Sequence, residues 1–188
     1  MNAPLKLVVS GPVGAGKTTF VQTLSQTHVI STEVEPSDNI GKASTTVAFD
    51  FGTMHLDDLE LHLYGTPGQD RFDFMWDVLC EGAIGLVMLV NGQRPRDFPA
   101  ARNILEFITQ RHALPFILAV TRQDQTAAWQ PSDVALYFQL PLQHVVGINA
   151  TDPTNAARAL IQLLASLPAS QVRSSRASHA SVASASSR

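Results

Sequence analysis

The chain has 188 residues, 45% of them hydrophobic and 15% charged; that is enough apolar material for one compact domain with its own core, and it excludes wholesale disorder or a coiled coil. A formal net charge of −3 gives no electrostatic case for nucleic acid as the main partner, and a lone cysteine, Cys80, excludes a disulfide scaffold and points to a reducing compartment. The longest apolar run, the eight residues 83–90, is far below the ~20 that a membrane helix needs, and the opening MNAPLK lacks the apolar stretch of a signal peptide, so a soluble, cytoplasmic protein with no integral membrane segment is expected.

In chain order, the apolar run Leu5–Ser10 predicts a strand and Thr18–Ser25 a helix after it. Between them stands Gly11-Pro12-Val13-Gly14-Ala15-Gly16-Lys17-Thr18, which matches the phosphate-binding pattern GxxxxGK[ST] in the strand-to-helix context that pattern requires. Small residues let successive backbone N–H groups converge on phosphate oxygens, and the helix N-terminus adds partial positive charge. Lys17 is then expected on the β- and γ-phosphates and the Thr18 hydroxyl on Mg2+, with Gly11, Val13, Gly14, Ala15, Gly16 and Thr19 completing the set. Residues 26–44 are polar, with Pro36, Gly41 and several acids; nineteen such residues inside a compact domain read as a functional loop. Thr46–Phe51 and Leu59–Tyr64 predict a hairpin about the acidic turn Asp57-Asp58.

Further along, Ala83–Val90 and Pro115–Val120 predict buried central strands and His144–Ile148 a last strand, while Ala101–Arg111, Ser132–Leu140 and Thr154–Leu167 have helical spacing. This alternation is the pattern of an α/β fold around a mainly parallel sheet. Residues 1–167 form the one expected domain; the chain's thirteen basic residues less the tail's three leave it ten, against sixteen acids. The tail, 168–188, is nearly all Ser, Ala and Arg, has too few large apolar side chains to offset the entropy of ordering, and is expected to be disordered. Its arginines suit contact with an acidic surface.

Three later stretches bear on what sits beside the phosphates. Tyr64-Gly65-Thr66-Pro67-Gly68-Gln69-Asp70-Arg71-Phe72 resembles the switch II sequence DTAGQ of the Ras superfamily. The resemblance implies that Gly68 offers its backbone N–H to a γ-phosphate and that Gln69 orients the attacking water. Thr46-Val47-Ala48-Phe49-Asp50-Phe51 resembles the TIGVDF that closes switch I, which makes Thr46 a second protein ligand of Mg2+, or Thr45 if the register is off by one. Thr121-Arg122-Gln123-Asp124 resembles the guanine signature NKxD. There the Asp124 carboxylate accepts from N1–H and the exocyclic amine of guanine, a donor pair that adenine lacks, and Arg122 lies along the base in place of lysine. Thr121 is shorter than the usual asparagine. Asn149-Ala150-Thr151 resembles the SAK motif, in which the alanine N–H contacts the guanine oxygen.

Together, and in order, these pieces resemble the bacterial Ras-like small GTPases of the MglA-like, Roadblock-partnered group over about residues 5–167. The resemblance implies a P-loop NTPase fold of Ras-like type, with a six-stranded, mainly parallel sheet flanked by about five helices. It implies GTP and GDP as ligands with Mg2+ as cofactor, slow hydrolysis of GTP carried by Gln69 and Lys17, and a molecular switch in bacterial signalling or polarity. A Roadblock-type dimer is the implied activator or effector. Two other readings stand beside it: a nucleotide-binding scaffold with little hydrolysis, and an ATP-dependent P-loop kinase, for which neither an arginine-rich lid nor an acceptor site is legible.

Departures from the family pattern motivate the scaffold reading. Gly65 stands where most P-loop GTPases carry the aspartate that holds a magnesium-bound water, and Asp50 and Glu35 are the carboxylates that offer a substitute. Val13 crowds the route of a partner's arginine, so activation by repositioning Gln69 is expected, with Arg71, Arg94 and Arg96 as internal arginines. Phe72, Met75, Trp76 and Leu79 fall on one helical face, while Phe74 and Val78 lie off it as candidates for a partner surface. The six histidines and Cys80 show no metal-ligand spacing.

Overall fold

The structure is a computed structural model, and it describes residues 4–31, 49–68 and 73–168. Its elements follow one another as β1 (Leu5–Ser10), α1 (Lys17–Leu24), β2 (Ile30–Ser31), β3 (Asp50–Leu56), β4 (Leu59–Gly65), α2 (Asp73–Cys80), β5 (Gly85–Asn91), α3 (Phe98–His112), β6 (Phe116–Thr121), α4 (Pro131–Phe138), β7 (Val145–Gly147) and α5 (Pro153–Ser166). One sheet runs in the order β2-β3-β4-β1-β5-β6-β7. The strands from β4 to β7 are parallel, and β3 pairs antiparallel with both β4 and β2. The expected six strands and five helices are all present, and the two-residue β2 is added at the sheet edge.

The central strands read as continuous apolar runs because both faces of the sheet are covered. Side chains alternate across a strand, so Leu5, Leu7 and Val9 of β1 pack under α1 and α5 with Phe20, Leu160 and Leu163. Val8, Leu86, Met88 and Val120 point the other way, onto Trp76, Phe98, Ile104 and Phe138 of α2, α3 and α4. Gly85 lies where α5 comes closest: a Cβ there would stand 3.0 Å from Leu163.

Several boundaries differ from the sequence reading, for identifiable reasons. The strand expected at Thr46–Phe51 is described from Asp50 and continues to Leu56. Gly52 and His55 interrupt its apolar pattern, but β4 pairs with it along its whole length, from Asp50 opposite Gly65 to Leu56 opposite Leu59. Helices α3 and α4 begin earlier than their apolar periodicity because each carries proline in its first turn, where the missing N–H has no intrahelical partner to lose. The polar stretch 26–44 contains β2, too short to show a period. Residues 32–44 of it, and the tail from 169, lie outside the described residues.

Parallel connection brings the C-terminal ends of β1, β4, β5, β6 and β7 to one edge of the sheet, the place where open α/β sheets bind ligands. Because β3 runs the other way, its first residue, Asp50, arrives at that same edge. Among the described residues no helix is long and apolar enough to cross a membrane.

Candidate functional site

The loop 11–16 leaves β1 and turns into α1 at Gly16, whose φ of 102° is left-handed backbone that glycine takes without a Cβ penalty. The N-cap residue Gly16 has no side chain to cap the first turn of α1, which leaves its leading N–H groups for the site. Lys17 Nζ donates to the carbonyls of Gly11 at 2.7 Å and Pro12 at 2.9 Å, which folds the side chain back over the loop. Burial lowers the Lys17 pKa to about 8, with the charge of Asp50 acting in the opposite direction. Thr18 Oγ1 donates to Asp50 Oδ2 at 2.6 Å.

Neighbouring loops are stitched to this one. Asn91, at the end of β5, donates from Nδ2 to Gly14 O at 3.2 Å, and its Oδ1 accepts from Gln93 N. The Arg94 guanidinium lies against Gly14 in the place a Cβ would occupy, and its Nε is 2.7 Å from Asp97. Of the three arginines singled out, Arg94 therefore touches the loop, Arg96 is exposed, and Arg71 lies outside the described residues. Ser10 and Thr66 share a buried hydroxyl–hydroxyl hydrogen bond of 2.8 Å, and Trp76 Nε1 donates to Pro67 O. These bonds bring Gly68 so close that a Cβ on it would stand 2.6 Å from Lys17 Nζ and 2.8 Å from Val13 N. Only glycine fits there.

A few ångströms along the same edge, a cleft of ≈ 50 Å³ is lined by Gly16, Thr19, Thr121, Arg122, Asn149, Ala150 and Thr151. Residues from the ends of β6 and β7 thus meet the start of α1. The buried Thr121 hydroxyl is within hydrogen-bonding reach of Ala15 O at 3.0 Å and Val90 O at 3.2 Å, which ties β6 to the loop. Arg122 takes left-handed backbone at φ 65°, and Gln123 N donates to Ile148 O. Asn149 Oδ1 accepts from both N and Oγ1 of Thr151, fixing that turn. Asp124 does not line the cleft; its carboxylate accepts from Gln125 Nε2 at 2.6 Å on the exposed side. A larger hollow of ≈ 570 Å³, between residues 126–129 and α4, holds no residue of the phosphate loop and carries none of this chemistry.

Gln69, Thr46 and Thr45, Glu35 and Phe72 lie outside the described residues. The sequence reading missed Asn91, whose only signal is a polar residue ending an apolar run, and it left Arg94 unplaced. On α2, Trp76, Leu79 and Cys80 are buried and Val78 is 59% exposed, so that residue does lie off the packed face. Burial pushes the Cys80 thiol up to about 11, which removes it as a nucleophile at neutral pH.

Comparison with known proteins places this geometry among nucleotide-binding folds. Residues 28–184 match the family described as conserved hypothetical ATP binding protein. An uncharacterized protein of Methanocaldococcus jannaschii is 36% identical over 89 residues, 45% of this chain and 50% of its own length. The ADP-ribosylation factor-like protein 15 of Homo sapiens is 26% identical over 138 residues, 71% of this chain and 62% of its own. The chain thus spans between half and under two thirds of these relatives. The Arl6 BBS3 small GTPase of Trypanosoma brucei, solved with the nucleotide analogue GppNp, superposes with a TM-score of 0.68 at 14% identity, covering 91% of this chain and 99% of that one. The G domain of the Thermotoga maritima FeoB iron transporter gives 0.63 at 16%, covering 87% and 98%. The fold is that of the small GTPase G domains.

Proposed function

The chain belongs to the family of conserved hypothetical ATP binding proteins, and from that premise and its G-domain fold we propose that it binds GTP and GDP with Mg2+ and slowly hydrolyses GTP as a molecular switch. The observation that carries the reading is the convergence of residues 11–18, 66–68, 121–122 and 149–151 at one sheet edge, with phosphate chemistry at one end and a small polar cleft at the other. Backbone N–H groups of the loop and of the α1 first turn hold the phosphates. Lys17 moves from the Gly11 and Pro12 carbonyls onto them. Arg122, Asn149, Ala150 and Thr151 receive the guanine, and Asp124 leaves Gln125 Nε2 to accept from its N1–H and exocyclic amine.

The Thr18 hydroxyl, at the start of α1 and beside a carboxylate, offers the hard oxygen that Mg2+ takes, and Thr46 is the proposed second ligand. Held there, Mg2+ would supply charge neutralisation at the β- and γ-phosphate oxygens. Gly68 already abuts Lys17 and Val13, so a γ-phosphate entering between them displaces or engages its N–H. That event aims Gln69 at the attacking water. A Roadblock-type dimer that prefers the GTP-bound form raises turnover by holding this arrangement, through a surface that includes the exposed Val78. The buried free thiol of Cys80 suits a cytoplasmic setting.

Single-turnover hydrolysis of GTP tests the enzyme reading. Slow release of phosphate is expected, slower again by about 10²-fold in Gln69→Ala, since a misplaced attacking water costs about that much. Binding of GTP by the wild type without release of phosphate would leave a scaffold, and equal rates in the two proteins would remove Gln69 from the reaction. The family description favours one second reading, adenine in place of guanine. Thr121 supports it to this extent: its single hydroxyl proton is directed at Ala15 O or Val90 O rather than at a base.

A further inference from the structure

The magnesium shell of the proposed nucleotide site lacks its expected carboxylate at the end of β4, where the chain has Gly65. Directly opposite in the β3–β4 ladder is Asp50. A Cβ built on Gly65 would stand 3.2 Å from the Asp50 Cβ and 3.4 Å from its Oδ2. The two positions therefore lie side by side at one point of the sheet edge, which a carboxylate from either strand reaches. That carboxylate is on the Thr18 hydroxyl at 2.6 Å, across 32 residues of sequence. We propose that Asp50 supplies, from β3, the acidic group that positions Thr18 and the water shell of the nucleotide-bound Mg2+, in place of the carboxylate that β4 lacks at Gly65.

Three features argue for a metal-positioning role over a simple capping bond. Thr18 donates its proton to Asp50 while the lone pairs of its oxygen remain turned to other partners, so the same bond orients the hydroxyl as a metal ligand. The bond is charge-assisted and short, the kind that fixes a rotamer. Asp50 also acts electrostatically on Lys17, the residue expected on the phosphates, so its charge is felt inside the loop. In an antiparallel pair the side chains of directly opposed residues point to the same face of the sheet, which explains how a carboxylate moved across the ladder reaches the same point.

The proposal rests on the nucleotide-binding reading, and the test separates the two. The rate of release of a fluorescent GDP from the full chain is measured across a magnesium titration, with EDTA setting each protein's own baseline. Wild type is expected to release GDP more slowly as Mg2+ rises. Asp50→Asn, which keeps shape and loses charge, is expected to need about 10–100-fold more Mg2+ for the half-maximal effect. The exchange Asp50→Gly with Gly65→Asp, which carries the carboxylate across the ladder, is expected to bring the midpoint back toward wild type; circular dichroism checks that each variant is folded. An unmoved midpoint in Asp50→Asn overturns the proposal, and so does a shift that the exchange fails to restore, since a merely structural bond would give that result. Absence of GDP binding by wild type, with or without Mg2+, overturns the nucleotide reading itself and the proposal with it.

Discussion

Lys17 sits in a conflict that a bound anion resolves. Burial lowers its pKa to about 8 from the usual 10.5, so the unfolded chain keeps the proton to higher pH than the folded one. The lysine therefore weighs against folding at neutral pH, and that burden lifts as pH rises from about 8 toward 10.5. Phosphate beside the ammonium reverses the shift: affinity is fully present below about 8 and falls as pH rises through and above that value. At pH about 8, where the free lysine is half protonated, GDP binding should take up about half a proton, read as a buffer-dependent calorimetric enthalpy. Binding without uptake would mean that Lys17 does not meet the anion. Thr121 plays a different part, since its one hydroxyl proton goes to a backbone carbonyl inside the core, Ala15 O or Val90 O. Thr121→Val keeps the shape and removes that bond, so it should lower unfolding stability by about 1 kcal/mol in chemical denaturation. A change within error would show that the hydroxyl does not hold the loop. The NKxD resemblance set Thr121 in the place of a longer asparagine; the carbonyls within its reach were not legible because they lie 106 and 31 residues away.

At the scale of elements, the loop after β7 and the helix it feeds are held by a cap. Asp152 accepts from the backbone of Thr154 at 2.9 Å and Asn155 at 3.1 Å, with Pro153 at the first helical position. Asn155 Oδ1 in turn accepts from Asn149 N, so the α5 start and the proposed base loop share one network. Asp152→Ala should cost about 1 kcal/mol of stability by thermal or denaturant unfolding, the usual value of an N-cap. An unchanged stability would remove the cap from the account. Elements whose period is carried by many residues were legible to within a residue or two, as with β1, read as Leu5–Ser10 and found so. The hidden ones are those settled by a partner: β3 is defined by β4, and two-residue β2 by β3. Proline obscured the starts of α3 and α4, since a residue that breaks helix interiors is at home in their first turn.

For the molecule as a whole, the site is assembled by topology from segments far apart in sequence. Motifs showed which residue types were present; the sheet order decides that the ends of β1, β4, β6 and β7 meet. The Gly65 departure shows the limit most clearly, because one sequence line contains both Asp50 and Glu35 as substitutes and only the antiparallel ladder sets Asp50 opposite the glycine. The central claim is that this edge selects a guanine nucleotide. Displacement of a fluorescent GDP from the wild-type chain in Mg2+ by unlabelled GTP, GDP and ATP measures that directly, with Lys17→Ala and Asp124→Ala beside it. GTP and GDP should displace the probe and ATP should need at least tenfold more. Lys17→Ala should lose most triphosphate affinity, and Asp124→Ala about 1.5–3 kcal/mol of GTP affinity, the range for a hydrogen bond to a charged group. ATP displacing the probe as well as GTP, with Asp124→Ala unchanged, would contradict the account.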